Sequence, residues 1–263
     1  MLLEGTRGAG KQPGEFRLSQ NWVGPAGATL EQASFVPPPP RELTRVLSEF
    51  ELYLHAEEPY PILVHTGLMH AQFKTIHPFL DGNGRVGRLL IAFLLCHHGV
   101  LSRPLLYLSS YPKLHRSEYY DRLTSIRTRG DWEGWLRYYL LGVAVTAEEA
   151  TRTARAINDM RDLHRGALGE HRMRSNAYLL LDHLFSTPVM NARRAEQLLE
   201  VSYPTANRLL GQITELGILQ EITGRDRDRL YRYDQYLDLF RKSTPDADIE
   251  YDLTATTDSD VPR

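Results

Sequence analysis

The sequence predicts a mainly α-helical fold in two parts: a helical bundle with a short β-hairpin near its start, then a winged helix-turn-helix. Three observations carry this. Apolar residues recur at helical spacing from Arg41 onward, residues 5–36 are rich in Gly, Pro, Asn and Gln, and from Arg174 the order reads as three helices followed by two short strands.

In residues 5–36, short apolar or aromatic groups such as "NWVG" and "SFV" suit loops and a hairpin rather than a helix. The run "PPPP" at 37–40 is a stiff extended lead-in. Leu43, Val46, Leu47, Phe50 and Leu54 then mark an amphipathic helix. A second helix is expected from about Pro61 to Thr75, since Pro suits a first turn and no breaker follows. Val86, Leu89, Leu90, Phe93 and Leu94 make a nearly all-apolar helix that Gly99 ends, the pattern of a bundle centre. Further helices are expected over 113–129 and from 131 to about 160. A linker is expected over 161–173, the winged helix-turn-helix over 174–242, and an acidic, disordered tail over 243–263.

A chain of 263 residues, 42% hydrophobic and 24% charged, can bury a substantial core. The longest apolar run, 89–96, is far short of the ~18 residues of a membrane span, so no membrane partner and a cytoplasmic location are expected. The lone cysteine, Cys96, excludes an internal disulfide and reads as a buried, inert thiol. A net charge of -2 argues against nonspecific polyanion binding by the whole chain.

The chemistry concentrates in "IHPFLDGNGRVGR", residues 76–88. Asn83 and Gly84 lie where loop becomes helix, so the first backbone N–H groups and the positive end of the dipole face the loop. Gly82 and Gly84 let the backbone approach a phosphate closely. Arg85 and Arg88, three apart, share a helix face and can reach phosphate oxygens together. Asp81 is a candidate Mg²⁺ carboxylate, because Mg²⁺ takes one or two protein carboxylates and fills its shell with water and substrate. His77 is the group that can accept a proton near neutral pH. Base, metal carboxylate and phosphate cradle together describe attack of a hydroxyl on phosphorus.

The stretch "HPFLDGNGRVGR" resembles the signature of the Fic family, His-x-Phe-x-Asp/Glu-Gly-Asn-Gly-Arg-x-x-Arg, with every specified position present. The likeness extends through "HAQFKTIHPF", "YLSSY", "EYYDRL" and "GDWEGWLRYYL", so a Fic-type bundle is expected over 1–160, with a flap at about 13–36. The resemblance implies transfer of AMP from ATP, with Mg²⁺, to a hydroxyl of a target protein. His77 would be the base and Asp81 the metal ligand. Gly82, Gly84 and Asn83, with the Asn83 side chain, would cradle phosphate, and Arg85 and Arg88 would bind the outer phosphates. Tyr119 and Tyr120 would border the base, core packing being the other reading for each. Phe16 to Gly24 resembles the flap, with Val23 and Gly24 beside the nucleotide and a target segment paired along the main chain. Self-modification and a homodimer are compatible with the same reading. An inhibitory helix of the family type is expected to be absent: Glu4-Gly5 fits only its end.

Two other motifs carry less. "GTRGAGKQ", residues 5–12, approaches a phosphate-binding loop, but Gln12 replaces the Ser/Thr that binds Mg²⁺ and no apolar strand precedes it. His97 and His98 are adjacent on a helix and diverge, which disfavours a shared metal. In the C-terminal module Arg193 and Arg194 are the best phosphate contacts, yet the second helix has few basic residues beyond Arg208. Protein docking or dimerisation is therefore favoured over DNA. The alternatives left open are a nucleotide-sensing transcriptional regulator and a Fic transferase using another donor.

Overall fold

The computed structural model describes residues 14–25, 27–56, 60–102, 110–171, 175–225 and 228–241. The motif-like stretch 5–12, Glu4 and the expected tail 243–263 lie outside the described residues. Among the described residues the chain divides into two compact units, 14–147 and 148–241.

The first unit is helical. A 3₁₀ turn (Leu30–Gln32) precedes α1 (Pro40–His55), α2 (Ile62–Ile76), α3 (Asn83–His97), α4 (Ser110–Leu114), α5 (Arg116–Arg129) and the start of α6 (Trp132–Glu170). Pro39 and Pro40 sit at the α1 start, where a missing N–H costs nothing, and Leu43 and Phe50 turn its apolar face inward. The expected hairpin is reduced to one antiparallel bridge, Val23↔Phe35. Pro25 on one side and the Pro37–Pro40 run on the other lack the N–H groups a longer ladder needs.

The core joins Met69, Phe73 and Ile76 of α2, Ile91 and Leu95 of α3, Tyr119 and Leu123 of α5, and Trp135, Tyr138 and Tyr139 of α6. Glycines let these helices close. A Cβ on Gly87 would meet Phe73 Cδ1 at 2.9 Å, and one on Gly67 would meet Tyr139 Cδ1 at 2.7 Å. The Gly67 carbonyl also accepts the indole N–H of Trp135, at 2.9 Å. Two expectations change here. Phe93 is 53% exposed, so α3 is not enclosed on all sides, and Cys96 is only half-buried.

The second unit holds the rest of α6, then α7 (Ser175–Leu184), β1 (Val189–Asn191), α8 (Ala192–Leu199), α9 (Tyr203–Glu215), β2 (Gln220–Glu221), β3 (Leu230–Arg232) and α10 (Asp234–Arg241). The antiparallel sheet has the order β1-β3-β2, with Met190 and Glu221 both opposite Tyr231. β1 is an addition to the two expected strands; three residues are too few for alternation to show in a sequence. The stretch expected as a linker from 161 is instead helical through Glu170. Leu168 is fully buried against Leu180, Leu181 and Leu184, and Arg165 grips both Asp182 oxygens at 2.9 Å. Asn191 caps α8 by accepting the Arg194 N–H at 2.8 Å. No described helix is long and apolar enough to cross a membrane.

Substituting Gly67→Ala puts a methyl into the Tyr139 ring and destabilises the first unit by about 1–3 kcal/mol, the range for overpacking a filled core. Thermal denaturation of variant and parent measures it.

Candidate functional site

The helix α2 ends at His77, which caps it in the left-handed conformation with φ 50° and ψ 59°. This is unusual for a residue with a Cβ, and more so before Pro78, which biases its neighbour toward extended angles. Such a residue persists when its surroundings over-determine it. Arg17 is the main restraint. Its backbone N–H donates to the Pro78 carbonyl at 3.0 Å, its Nε donates to the His77 carbonyl at 3.0 Å, and its Nη2 donates to the Pro38 carbonyl. Arg17 is 1% exposed, and burial holds its pKa below the ordinary arginine value.

From His77 the loop is closed by two asparagines. The Asn83 side chain accepts the Phe79 N–H at 2.9 Å and donates to the Phe79 carbonyl at 2.6 Å. Asn21 Nδ2 donates to the same carbonyl at 2.9 Å and lies 3.5 Å from His77 Nδ1. Both ends of the buried Asn83 amide thus hold the loop, a structural role that the sequence reading did not assign. Gly82, at φ 84°, caps α3 in a conformation glycine adopts without strain. Its N–H donates to Asp81 Oδ1 at 2.5 Å, and Arg85 Nη2 lies 3.8 Å from the same oxygen.

Gly84 stands in the first turn of α3. A Cβ there would lie 3.2 Å from Arg88 Nη1 and 3.7 Å from Lys74 Nζ, so two cations from two helices come together over this residue. Beneath them His70 lies between α3 and α5. Its Nδ1 is 3.1 Å from the Gly87 carbonyl and its Nε2 is 2.9 Å from the Tyr119 hydroxyl. A carbonyl only accepts, so Nδ1 carries the proton and Nε2 accepts from Tyr119. Burial first, then the Lys74 charge, push the His70 pKa down to about 3.

A cavity of about 440 Å³ opens beside His77, lined by residues that include Val23, Gly24, Phe35, Lys74, Tyr120 and Arg127. Of the expected site residues, His77, Val23, Gly24 and Tyr120 line it. Asp81, Gly82, Asn83, Gly84 and Arg85 form the loop and helix start that follow His77. Arg88 lines a second, much smaller cavity with His70 and Tyr119. Tyr119 is a correction. It is 6% exposed, its hydroxyl is engaged by His70, and its ring packs on Trp135 and Tyr138, so it is core, and Tyr120 is the partner that reaches the cavity.

Sequence reasoning missed Arg17, Asn21, Lys74, Arg116 and Arg127. Arg116 and Arg127 also line the large cavity, against a single acid, Asp121, so the cavity favours an anion. Arg127 lies over the Phe35 ring at 3.5 Å and donates to the Lys74 carbonyl at 3.4 Å. Burial pushes its pKa down to about 10, which leaves it charged at neutral pH. The only linear cue for Lys74 was its place three residues before His77, one helical turn away.

Residues 1–95 match the profile of the Fic/DOC family. Over that stretch the chain is similar to the Fic/DOC family. The protein adenylyltransferase Fic of Culex quinquefasciatus is 36% identical over 134 residues, covering 48% of this chain and 22% of that protein. That of Drosophila melanogaster is 35% identical over 127 residues, covering 48% and 23%. The chain thus spans less than a quarter of the length of these curated relatives. A crystal structure of a Fic family protein from Desulfovibrio desulfuricans G20 superposes with a TM-score of 0.50 at 20% identity, over 86% of this chain and 64% of that one. That last likeness is one of fold.

Two outcomes follow from the geometry around His77 and His70. Replacing Arg17→Met leaves the His77 and Pro38 carbonyls without their donor at about 1–3 kcal/mol each, and a lowered urea midpoint measures it. His70 refuses a proton in the folded state down to about 3, whereas the unfolded chain accepts one below ~6.5. Its contribution is whole above 6.5 and drains as pH falls toward 3, by about 2 kcal/mol at pH 5. Urea unfolding at pH 7.5 and pH 5 therefore shows a smaller acid loss in the His70→Asn variant than in the parent.

Proposed function

We propose that the protein is an adenylyltransferase that moves AMP from ATP onto a hydroxyl side chain of a target protein. The observation that carries this is His77, held in a left-handed turn on the wall of a cation-lined cavity, immediately before a glycine-opened helix N-terminus. The matched relatives are named protein adenylyltransferases, which supports the same chemistry.

In this reading the target hydroxyl gives its proton to His77 as its oxygen bonds the α-phosphorus. The bond from that phosphorus to the bridging oxygen breaks, and pyrophosphate leaves with the electron pair. The backbone N–H groups of Asn83, Gly84 and Arg85, with the Arg85 and Arg88 side chains, stabilise the charge on the phosphate oxygens. Tyr120 and the Val23–Gly24 backbone border the nucleotide base. A target segment lies along the flap at 16–24 by main-chain pairing, and the chain's own hydroxyls are further acceptors.

Asp81 fits a role as ligand for Mg²⁺. Its Oδ1 is taken by the Gly82 N–H and faces Arg85, while among the described residues Oδ2 has no hydrogen bond. No cluster of three His, Cys, Asp or Glu side chains occurs among the described residues, but Mg²⁺ needs only one or two protein carboxylates when phosphates supply the rest. Bound there, the ion would neutralise phosphate charge.

The second unit, with α8 and α9 followed by β2 and β3, reads as a winged helix-turn-helix. We assign it to protein docking or self-association rather than DNA, because Arg208 is the sole basic residue of α9. A cytoplasmic location accords with the ATP donor and the single cysteine.

With ATP labelled at the α-phosphate, the parent protein labels itself or a hydroxyl substrate. The His77→Ala variant loses about 10²–10⁴-fold in rate, the usual worth of a positioned base. Persistent label in that variant removes His77 from the chemistry; label from γ-labelled ATP instead would mean phosphate transfer.

A further inference from the structure

We propose that Lys74 is a phosphate-binding residue of this site, gripping the phosphate chain of the nucleoside triphosphate from the side opposite Arg88. The inference rests on the transferase reading above and deepens it: the family signature begins at His77, and Lys74 stands outside it.

Three placements support it. Lys74 belongs to the last turn of α2 and lines the same cavity as His77, three residues on, so an anion presented to the base is within reach of the ammonium. Its Nζ and Arg88 Nη1 lie 3.7 Å and 3.2 Å from one point above Gly84, where a side chain would stand on any other residue. Without a Cβ, a ligand oxygen can approach the backbone of Gly84 closely while lying near both cations. The site is also withdrawn from water: Lys74 is 9% exposed, unusual for a lysine. An anion that reaches both cations in such surroundings interacts with them more strongly than it would at a fully hydrated surface.

The other cationic wall, Arg116 and Arg127, is differently built. Arg116 lies over the Tyr120 ring at 5.8 Å and Arg127 over the Phe35 ring at 3.5 Å, so each is held by an aromatic ring on the base side. Lys74 Nζ instead points to Gly84, where it meets Arg88 at the start of α3, the helix end read here as the phosphate cradle. This division assigns the ends of the nucleotide: base toward Phe35 and Tyr120, phosphates toward Lys74 and Arg88. An ammonium is a compact point charge, and an arginine could reach the same oxygens with different geometry.

The test compares parent, Lys74→Met and Lys74→Arg, using inorganic tripolyphosphate, adenosine and ATP in calorimetric binding, and α-labelled ATP in the transfer assay. Lys74→Met is expected to weaken tripolyphosphate and ATP about tenfold or more, the size of one lost charge-assisted hydrogen bond. Adenosine binding should be unchanged. The KM for ATP should rise by the same factor with kcat within about threefold, and Lys74→Arg should recover most of the loss, as uniform binding requires. Equal weakening of adenosine, or unchanged tripolyphosphate affinity in Lys74→Met, overturns the proposal. Should the methionine variant not fold, the parent decides: tripolyphosphate must protect Lys74 from amine acylation as read by peptide mass spectrometry, and an unaltered rate overturns the assignment. A parent protein that binds tripolyphosphate through Lys74 but transfers nothing from ATP would refute the transferase reading alone.

Discussion

A guanidinium taken out of water holds the chain where its backbone is most strained. Arg17 donates to the carbonyls of His77 and Pro38 and, through its backbone, to that of Pro78, so three carbonyls on two segments converge on one residue. The His77 carbonyl would otherwise be a buried acceptor in want of a donor. The cost of burying the cation is offset by making it the donor to several groups at once, which a planar fork does better than an ammonium. Without this tie, His77 has every local reason to leave the left-handed region: it bears a Cβ and precedes a proline. The catalytic geometry proposed for this site therefore depends on a residue sixty positions upstream.

The loop after His77 follows the same logic with neutral groups. Phe79 offers an N–H and a carbonyl where no regular structure can use them, and Asn83 satisfies both with the two ends of one amide. The start of α3 follows directly, its dipole directed at the loop. The surrounding charges complete the pattern. Arg85 is balanced by Asp81, while Lys74, Arg116 and Arg127 line a cavity in which Asp121 is the one acid. An overall charge of -2 conceals this polarity, because the acids are distributed elsewhere.

The aromatic core of the first unit lies directly beneath the site. His70 joins α3 to α5 through the Gly87 carbonyl and the Tyr119 hydroxyl, and stacks on Trp135 at 6.0 Å. Its burial makes it neutral, which lets one imidazole donate at one nitrogen and accept at the other. Gly87, inside the motif, is needed here for packing rather than for phosphate: a Cβ would strike Phe73. One thirteen-residue stretch thus contains glycines of two kinds, those that open a helix end and one that lets two helices touch.

By itself the sequence determined most of the helices and marked residues 76–88 as a loop leading into a helix start, because both are local. Periodicity survives wherever a helix buries one face, and glycines at a helix start open it to the loop whatever surrounds them. Tertiary structure alone decided which of Tyr119 and Tyr120 reaches the cavity, since adjacent helical residues differ by a rotation that only packing can orient. It also decided that the flap would pair at one bridge, that α6 would run on to Glu170, and that Arg17, Lys74 and Arg127 would meet the site. Those cations lie far from the motif in sequence or show no pattern within it. Their effect is electrostatic, and it depends on distances that exist only once the chain has folded.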